Sequence, residues 1–316
     1  MKPAIAVVGN VWPEADLDAL AAEFECHFPS RMTAGEREAF HSGTAGRLRG
    51  FLTTGTIGID AATAQRYPAL EIVAVHGVGV DPVDLPALAA RGIVVTNTPD
   101  VLTEDVADLA VALLLTAARR LPFLDRYVRA GHWLEKRPLL PTRSLRGKVA
   151  GIYGYGRIGQ AVASRLRGFG MAIRYYQRSS GPEPGLRSAS LLDLARESDY
   201  LVACAPGGPD TRHAIDAAVL DALGPEGTLV NIARGSVVDE AALVAALTSG
   251  RLGTAALDVF EDEPQVPPAL LLLDNVVLSP HVGSLTVEAR QAMRELCFAN
   301  LRAHFAGQPV LTPVRC

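Results

Sequence analysis

Arg234, Glu263 and His281 carry the three groups that polar carbonyl chemistry needs: a fork of cationic donors, a carboxylate and an imidazole. A guanidinium can hold a carboxylate and polarise the carbonyl beside it. An imidazole can deliver a proton to a carbonyl oxygen while hydride arrives at carbon. A neighbouring carboxylate can fix the imidazole tautomer and keep the ring protonated near neutral pH. Taken singly, each residue has a plainer reading: a surface ion pair for Arg234, a solvated loop acid beside Glu261 and Asp262 for Glu263, a packed core histidine for His281. His213 and His304 keep that plainer reading. What sets the three apart is their place, since each follows the carboxyl end of a predicted strand (229–233, 254–258 and 275–279), where open α/β sheets bind ligands.

A second cluster lies upstream. Gly154, Tyr155, Gly156, Arg157, Ile158 and Gly159 read G-Y-G-R-I-G, directly after the apolar run ending at Tyr153 and before the helical run 160–167. In a dinucleotide-binding turn the first glycine makes the tight turn. The second lets backbone approach the pyrophosphate, and the third lets helix and strand pack closely. The helix N-terminus then offers free N–H groups to the phosphates. A bare glycine pattern is often just a turn; here it opens a strand-turn-helix-strand unit.

The next strand ends in Tyr176, Gln177, Arg178, Ser179 and Ser180. Binding the ribose 2′-hydroxyl of NAD calls for an acid there, and an acid would repel a 2′-phosphate. A guanidinium and hydroxyls can bond that phosphate. The residues therefore favour NADP, with NADPH as the preferred reductant and NAD still open; the plainer reading of Arg178 is a solvated charge.

These residues need a scaffold. Short β-branched runs alternate with longer Ala/Leu-rich runs, which argues for parallel sheets of strand-helix-strand units. In the first third, 4–8, 50–53, 72–75 and 93–95 read as strands, with 17–23 and 86–90 as helical pieces. A helix over 103–119 follows, with Thr103 as N-cap, Glu104 and Asp105 in its first turn and an interior apolar on nearly every side. Such a helix is expected to pack between domains or at a subunit contact. The Pro-rich basic segment 137–146 reads as a loop. Beyond it, 149–153, 172–176, 200–204, 228–233, 253–258 and 275–278 read as six strands of a doubly wound sheet. The last helix, 287–305, has no strand left to serve there and is expected to cross back to the first domain.

With 316 residues, two domains are expected, and 49% hydrophobic against 20% charged residues is globular composition. The formal charge of -4 offers no broad basic surface, so neither nucleic acid nor an anionic membrane is an expected partner. The run 109–118 is too short to span a bilayer, and the N-terminus, with Asn10, Glu14 and Asp16 soon after 4–8, lacks a signal-peptide core. Cys26, Cys204, Cys297 and Cys316 are spaced too irregularly for a zinc cluster or a disulfide framework, so no metal and a cytoplasmic setting are expected.

The strings N-I-A-R-G (231–235), L-D-V-F-E-D-E-P (257–264) and S-P-H-V-G-S (279–284), with the glycine loop, closely resemble the D-isomer-specific 2-hydroxyacid dehydrogenases. V-H-G-V-G-V-D (75–81), R-G-I-V-V-T-N-T-P (91–99) and L-T-P-V (311–314) extend the resemblance over nearly the whole chain. L-T-T-G-T-I-G (52–58), residues 176–179 and the string ending N-I-A-R-G resemble most the NADPH-dependent glyoxylate/hydroxypyruvate and hydroxyphenylpyruvate reductases. The resemblance implies an α/β fold of two doubly wound parallel-sheet domains, Rossmann-like and flavodoxin-like, with the active site in the cleft between them. It implies a discontinuous substrate-binding domain, 1–98 plus 286–316, and a dinucleotide-binding domain, 99–285, that pairs with its copy in a homodimer.

By the same resemblance, Arg234 binds a small 2-keto acid and Glu263 with His281 forms the acid/base pair. Val78 and Gly79 offer N–H groups to the substrate carboxylate, and Leu52, Thr53, Thr54 and Gly55 line the same cleft. Asp258 faces the nicotinamide carboxamide, Ala205 and Pro206 border the adenosine, and Ile232, Ala233 and Gly283 belong to the cofactor site. His76 departs from the small or aromatic residue often found before the substrate-binding glycines. Trp133 is left as a reach into a partner's substrate pocket or an interface or core anchor. Two other readings stay open: a non-enzymatic NAD(P)(H)-sensing regulator on the same fold, and a family dehydrogenase for another substrate such as phosphoglycerate or phosphite.

Overall fold

The computed structural model describes residues 2–9 and 11–314; Asn10 and Cys316 lie outside them. The chain divides into two compact units, Met1–Leu102 with Thr286–Cys316, and Thr103–Leu285.

The first unit is built on a parallel sheet of β1 (Ala4–Val7), β2 (Glu25–His27), β3 (Leu48–Thr54), β4 (Ile72–His76) and β5 (Val94–Thr96), in the order β2-β1-β3-β4-β5. This is the flavodoxin-like order. Its helices are α1 (Glu14–Glu23), α2 (Ala34–Gly43), α3 (Ala61–Gln65), α4 (Leu85–Ala90) and the C-terminal helix Val287–Phe305, which packs on β4. The central strands are mostly apolar because both faces are covered, with Arg49 the exposed exception at the start of β3. Phe40, Phe51 and Tyr67 anchor one apolar cluster, and Leu20, Leu52, Phe298 and Leu301 another.

Three elements of this unit carry no apolar pattern. β2 is a half-buried edge strand whose residues are Glu25, Cys26 and His27. Only Phe40 is buried on α2, so no periodic stripe marks it. Its start is nevertheless written in T-A-G-E: Thr33 accepts from the Glu36 N–H while the Glu36 carboxylate accepts from the Thr33 N–H. α3 spans five residues, too few to show a period.

The second unit holds a six-stranded parallel sheet of β6 (Val149–Tyr153), β7 (Ala172–Tyr176), β8 (Tyr200–Ala203), β9 (Thr228–Asn231), β10 (Thr254–Leu257) and β11 (Val276–Leu278), ordered β11-β10-β9-β8-β6-β7. A parallel bridge between Tyr175 and Arg187 extends it beyond β7. The helices are α5 (Thr103–Ala118), α6 (Leu121–Arg129), α7 (Arg157–Gly168), α8 (Leu191–Arg196), α9 (Ala217–Leu223), α10 (Glu240–Thr248) and the one-turn α11 (Pro268–Leu271). α5 is the longest helix of this unit. Its apolar faces are covered inside its own unit, by α7 and by β9, β10 and β11, while Asp108 and Ala112 stay exposed. β8, β9 and β10 stop one or two residues short of their apolar runs. There the backbone leaves the ladder to build the turns that carry the chemical groups.

Candidate active site

The glycine loop links β6 to α7. Gly154 has φ +93°, a left-handed conformation that favours glycine, and a Cβ there would lie 2.5 Å from the Ala205 nitrogen. A Cβ on Gly159 would lie 2.1 Å from the Gly154 carbonyl oxygen, so helix and turn pack backbone to backbone. A Cβ on Gly156 would meet nothing within 4 Å. The middle glycine thus faces open space at the N-terminus of a 12-residue helix, with no side chain capping it. That combination fits a dinucleotide pyrophosphate. Arg157 is exposed in the first turn and Ile158 half-buried. The Tyr155 side chain points elsewhere: it is buried, stacks on Tyr175 at 4.1 Å and donates to Glu183 at 2.6 Å. Only the Tyr155 backbone belongs to the loop.

Gln177, at the end of β7, ties this loop to the next turn. Its Oε1 accepts from the Tyr155 N–H at 3.2 Å, and its Nε2 donates to the Ser180 carbonyl at 3.1 Å. Arg178, Ser179 and Ser180 are exposed, and Arg178 pairs with Asp210 at 2.6 Å. Ala205 is buried against the Gly154 turn; Pro206 is exposed and its carbonyl accepts from the Thr211 hydroxyl.

Arg234 lies just past β9, where Asn231 shapes the turn. The Asn231 Oδ1 accepts from the Ala233 N–H and its Nδ2 donates to the Arg234 carbonyl, while Arg234 Nη1 donates to the Ala233 carbonyl at 2.7 Å. Ile232 and Ala233 are buried beneath. Gly235 then lets this turn touch the loop after β10: a Cβ there would fall 1.9 Å from the Phe260 carbonyl carbon. That contact brings Arg234 beside Glu263.

Glu263 accepts from the Phe260 N–H at 3.1 Å through Oε1, and its Oε2 meets His281 Nδ1 at 2.7 Å. Burial pushes the Glu263 carboxyl up. The hydrogen bond and charge of His281, the Phe260 N–H and the Arg234 charge outweigh burial and hold it below the usual carboxylate value. His281 has φ +52°, an uncommon conformation for a non-glycine residue. The loop around it is fixed by Asp258, which is 1% exposed. Its carboxylate accepts from the Ser279 hydroxyl and from the Val282 and Gly283 N–H groups, and its carbonyl accepts from the His281 N–H at 2.8 Å. Asp258 is therefore the anchor of the histidine loop. Asn231, Gly235 and Ser279 are positioning residues that the residue chemistry alone did not single out. Glu261, the nearest competitor of Glu263, is taken by Arg212 and His213.

In the first unit the expected substrate contacts lie on β3 or just past it, and just past β4. Leu52 and Thr53 are both 0% exposed inside β3. Leu52 packs in the cluster of Ile5 and Leu301, and the Thr53 hydroxyl donates to the Gly58 carbonyl. The turn bearing Val78 and Gly79 is half-exposed. Asn97 Nδ2 holds the Val78 carbonyl at 2.8 Å, and Gly55 lies so near that a Cβ would be 2.8 Å from the Gly79 oxygen. His76 is buried edge-to-face against Trp12 at 4.9 Å, and burial, aided by the Arg290 and Arg294 charges, pushes it down to about 4.

Comparison with known proteins gives this geometry its context. A family model described as "D-isomer specific 2-hydroxyacid dehydrogenase, NAD binding domain" matches residues 111–283. A glyoxylate/hydroxypyruvate reductase A of Arabidopsis thaliana is 51% identical over 268 residues, 84% of this chain and 85% of that protein. A hydroxyphenylpyruvate reductase of Plectranthus scutellarioides is 50% identical with the same coverage. The crystal structure of an NADPH-dependent glyoxylate/hydroxypyruvate reductase from Sinorhizobium meliloti, in complex with NADP and malonate, superposes with a TM-score of 0.89 at 44% identity, covering 99% of this chain and 97% of that one. With a dinucleotide-fitting loop and a paired histidine and glutamate in one unit, the chain belongs to the D-isomer-specific 2-hydroxyacid dehydrogenase family.

Proposed function

We propose that the protein reduces a small 2-keto acid of the glyoxylate, hydroxypyruvate or hydroxyphenylpyruvate type to the D-2-hydroxy acid, with NADPH preferred over NADH. The observation that carries this reading is the 2.7 Å contact of His281 with Glu263 beside Arg234, in the unit that holds the glycine loop. When bound, NADPH supplies the hydride. Arg234 holds the substrate carboxylate in its guanidinium fork and draws charge toward the adjoining carbonyl oxygen. Glu263 occupies Nδ1 of His281, so the proton for the carbonyl oxygen comes from Nε2. The first unit, Met1–Leu102 with Thr286–Cys316, serves as the substrate-binding domain, and the Val78 and Gly79 N–H groups assist with the carboxylate. The second unit, Thr103–Leu285, binds the dinucleotide.

The preference for NADPH is supported by Arg178, Ser179 and Ser180 at the end of β7, where no acid stands. The Arg178–Asp210 pair is well exposed on both sides, and such a pair is weak enough for a dianionic 2′-phosphate to displace. A homodimer through the second unit is supported by Leu121, Val128, Trp133, Leu134, Leu139 and Leu140, large apolar side chains exposed along one 20-residue stretch; Leu134 is 90% exposed. Work in the reducing cytoplasm is supported by free thiols at Cys26, Cys204 and Cys297. Among the described residues no helix is long and apolar enough to cross a membrane.

A panel of 2-keto acids assayed side by side with NADPH and NADH tests the reading. Turnover of glyoxylate, hydroxypyruvate or hydroxyphenylpyruvate, faster with NADPH, is expected. Tight NADPH binding without turnover of any keto acid would instead support the sensing regulator.

A further inference from the structure

The first unit contains a cavity of about 400 Å³ that none of the catalytic groups lines. It opens where Val8 leaves β1 and where residues 57–60 leave β3, the two strands at which the chain reverses its order across this sheet. Crevices at the carboxyl ends of such a reversal are where open α/β sheets bind ligands. Its volume is that of a small-molecule site.

The lining is divided by chemistry. Val8, Phe51 and Tyr67 present the apolar cluster of the α2 face. Arg37, His41 and Arg66 supply cationic or neutral nitrogen donors. Nδ1 of His41 is buried and has no hydrogen-bond partner among the described residues. Asp60 is the one acid among the lining residues, and its carboxylate is already committed to the Thr63 N–H as the cap of α3.

The wall of this cavity is shared with the turn assigned to substrate. Ile57, Gly58 and Pro82 line it. Gly58 lies so close to Pro82 that a Cβ would be 2.1 Å from its carbonyl oxygen, and the Ile59 N–H donates to the same oxygen at 3.1 Å. Upstream in that loop, the Gly55 N–H donates to the His76 carbonyl at 3.2 Å, and Gly55 abuts Gly79. The segment therefore connects the cavity to the Val78–Gly79 turn through backbone contacts that leave little room for independent movement.

We propose that this cavity is a second ligand site, which takes a small carboxylate with an apolar body and adjusts substrate affinity through the 55–59 loop. The apolar cluster takes the body, and Arg37, His41 and Arg66 take the carboxylate. Its effect on KM rests on the reading of Val78 and Gly79 above; binding itself does not.

Benzoate is a suitable probe, with calorimetry on the full chain saturated with NADPH. One benzoate per chain is expected. An R37A/R66A variant, altered only at exposed side chains, should bind it on the order of tenfold more weakly, the loss of charge-assisted contacts. R234A should bind it as the wild type does. In turnover, benzoate should shift the keto-acid KM of the wild type and not that of R37A/R66A. No binding at millimolar benzoate, or binding lost in R234A but kept in R37A/R66A, would overturn the proposal. Benzoate binding as expected, without keto-acid turnover by the wild type, would leave the cavity assigned and the catalytic reading wrong.

Discussion

Glu263 holds His281 by Nδ1, at 2.7 Å, and is itself held by the Phe260 N–H. The carboxylate thereby orients the ring. Glu263→Gln keeps the shape and removes the charge. It is expected to lower kcat by roughly 10- to 100-fold and to remove the acid-side fall of the kcat/KM profile that protonation of Glu263 causes. Because the Glu263 carboxyl sits below its ordinary value, wild-type activity should persist further into acid than for an unpaired glutamate. An unchanged pH profile in E263Q would show that the carboxylate does not act on the imidazole.

Gly235 carries no chemistry, yet the contact between two loops depends on it. With a Cβ only 1.9 Å from the Phe260 carbonyl carbon, Gly235→Ala must push the Arg234 turn off the Glu263 loop. Destabilisation by about 3 kcal/mol is expected on denaturant unfolding. The keto-acid KM should rise at least roughly tenfold, with NADPH affinity little changed.

His76 gives the first unit a pH-dependent stability. Its folded pKa, pushed down to about 4, lies below the ordinary histidine value, so the unfolded chain binds the extra proton first. The stabilisation is full above about pH 6.5 and is lost as pH falls toward 4, on the order of 3 kcal/mol in all. Thermal melts of the wild type should fall more steeply from pH 7 to pH 5 than those of His76→Phe, which keeps an aromatic ring against Trp12. Parallel curves would contradict the assignment.

Arg178→Ala tests the cofactor preference. The KM for NADPH should rise by about tenfold while that for NADH stays put. Asp210→Asn, which frees Arg178 from its ion pair, should lower the KM for NADPH. Equal effects on both cofactors would remove the 2′-phosphate from the account.

The alternation of strands and helices was legible because buried parallel strands are mostly apolar, so β4, β6, β8 and β10 stand out from their flanks. β2, polar and at an edge, left no such trace. The Arg234, Glu263 and His281 positions were legible because chemistry in this architecture collects after strand ends. What chooses among Glu261, Asp262 and Glu263 is tertiary: Arg212 and His213 claim Glu261, and His281 meets Glu263. The loop-to-loop contact of Gly235 with Phe260 joins residues distant in sequence and has no local signal.

The most direct test is single-turnover reduction of hydroxypyruvate by NADPH in His281→Ala, with the NADPH Kd measured on the same preparation. Proton delivery from Nε2 predicts a rate lower by about 10²- to 10⁴-fold at an unchanged Kd. A variant that reduces the keto acid at the wild-type rate would show that the proton comes from elsewhere.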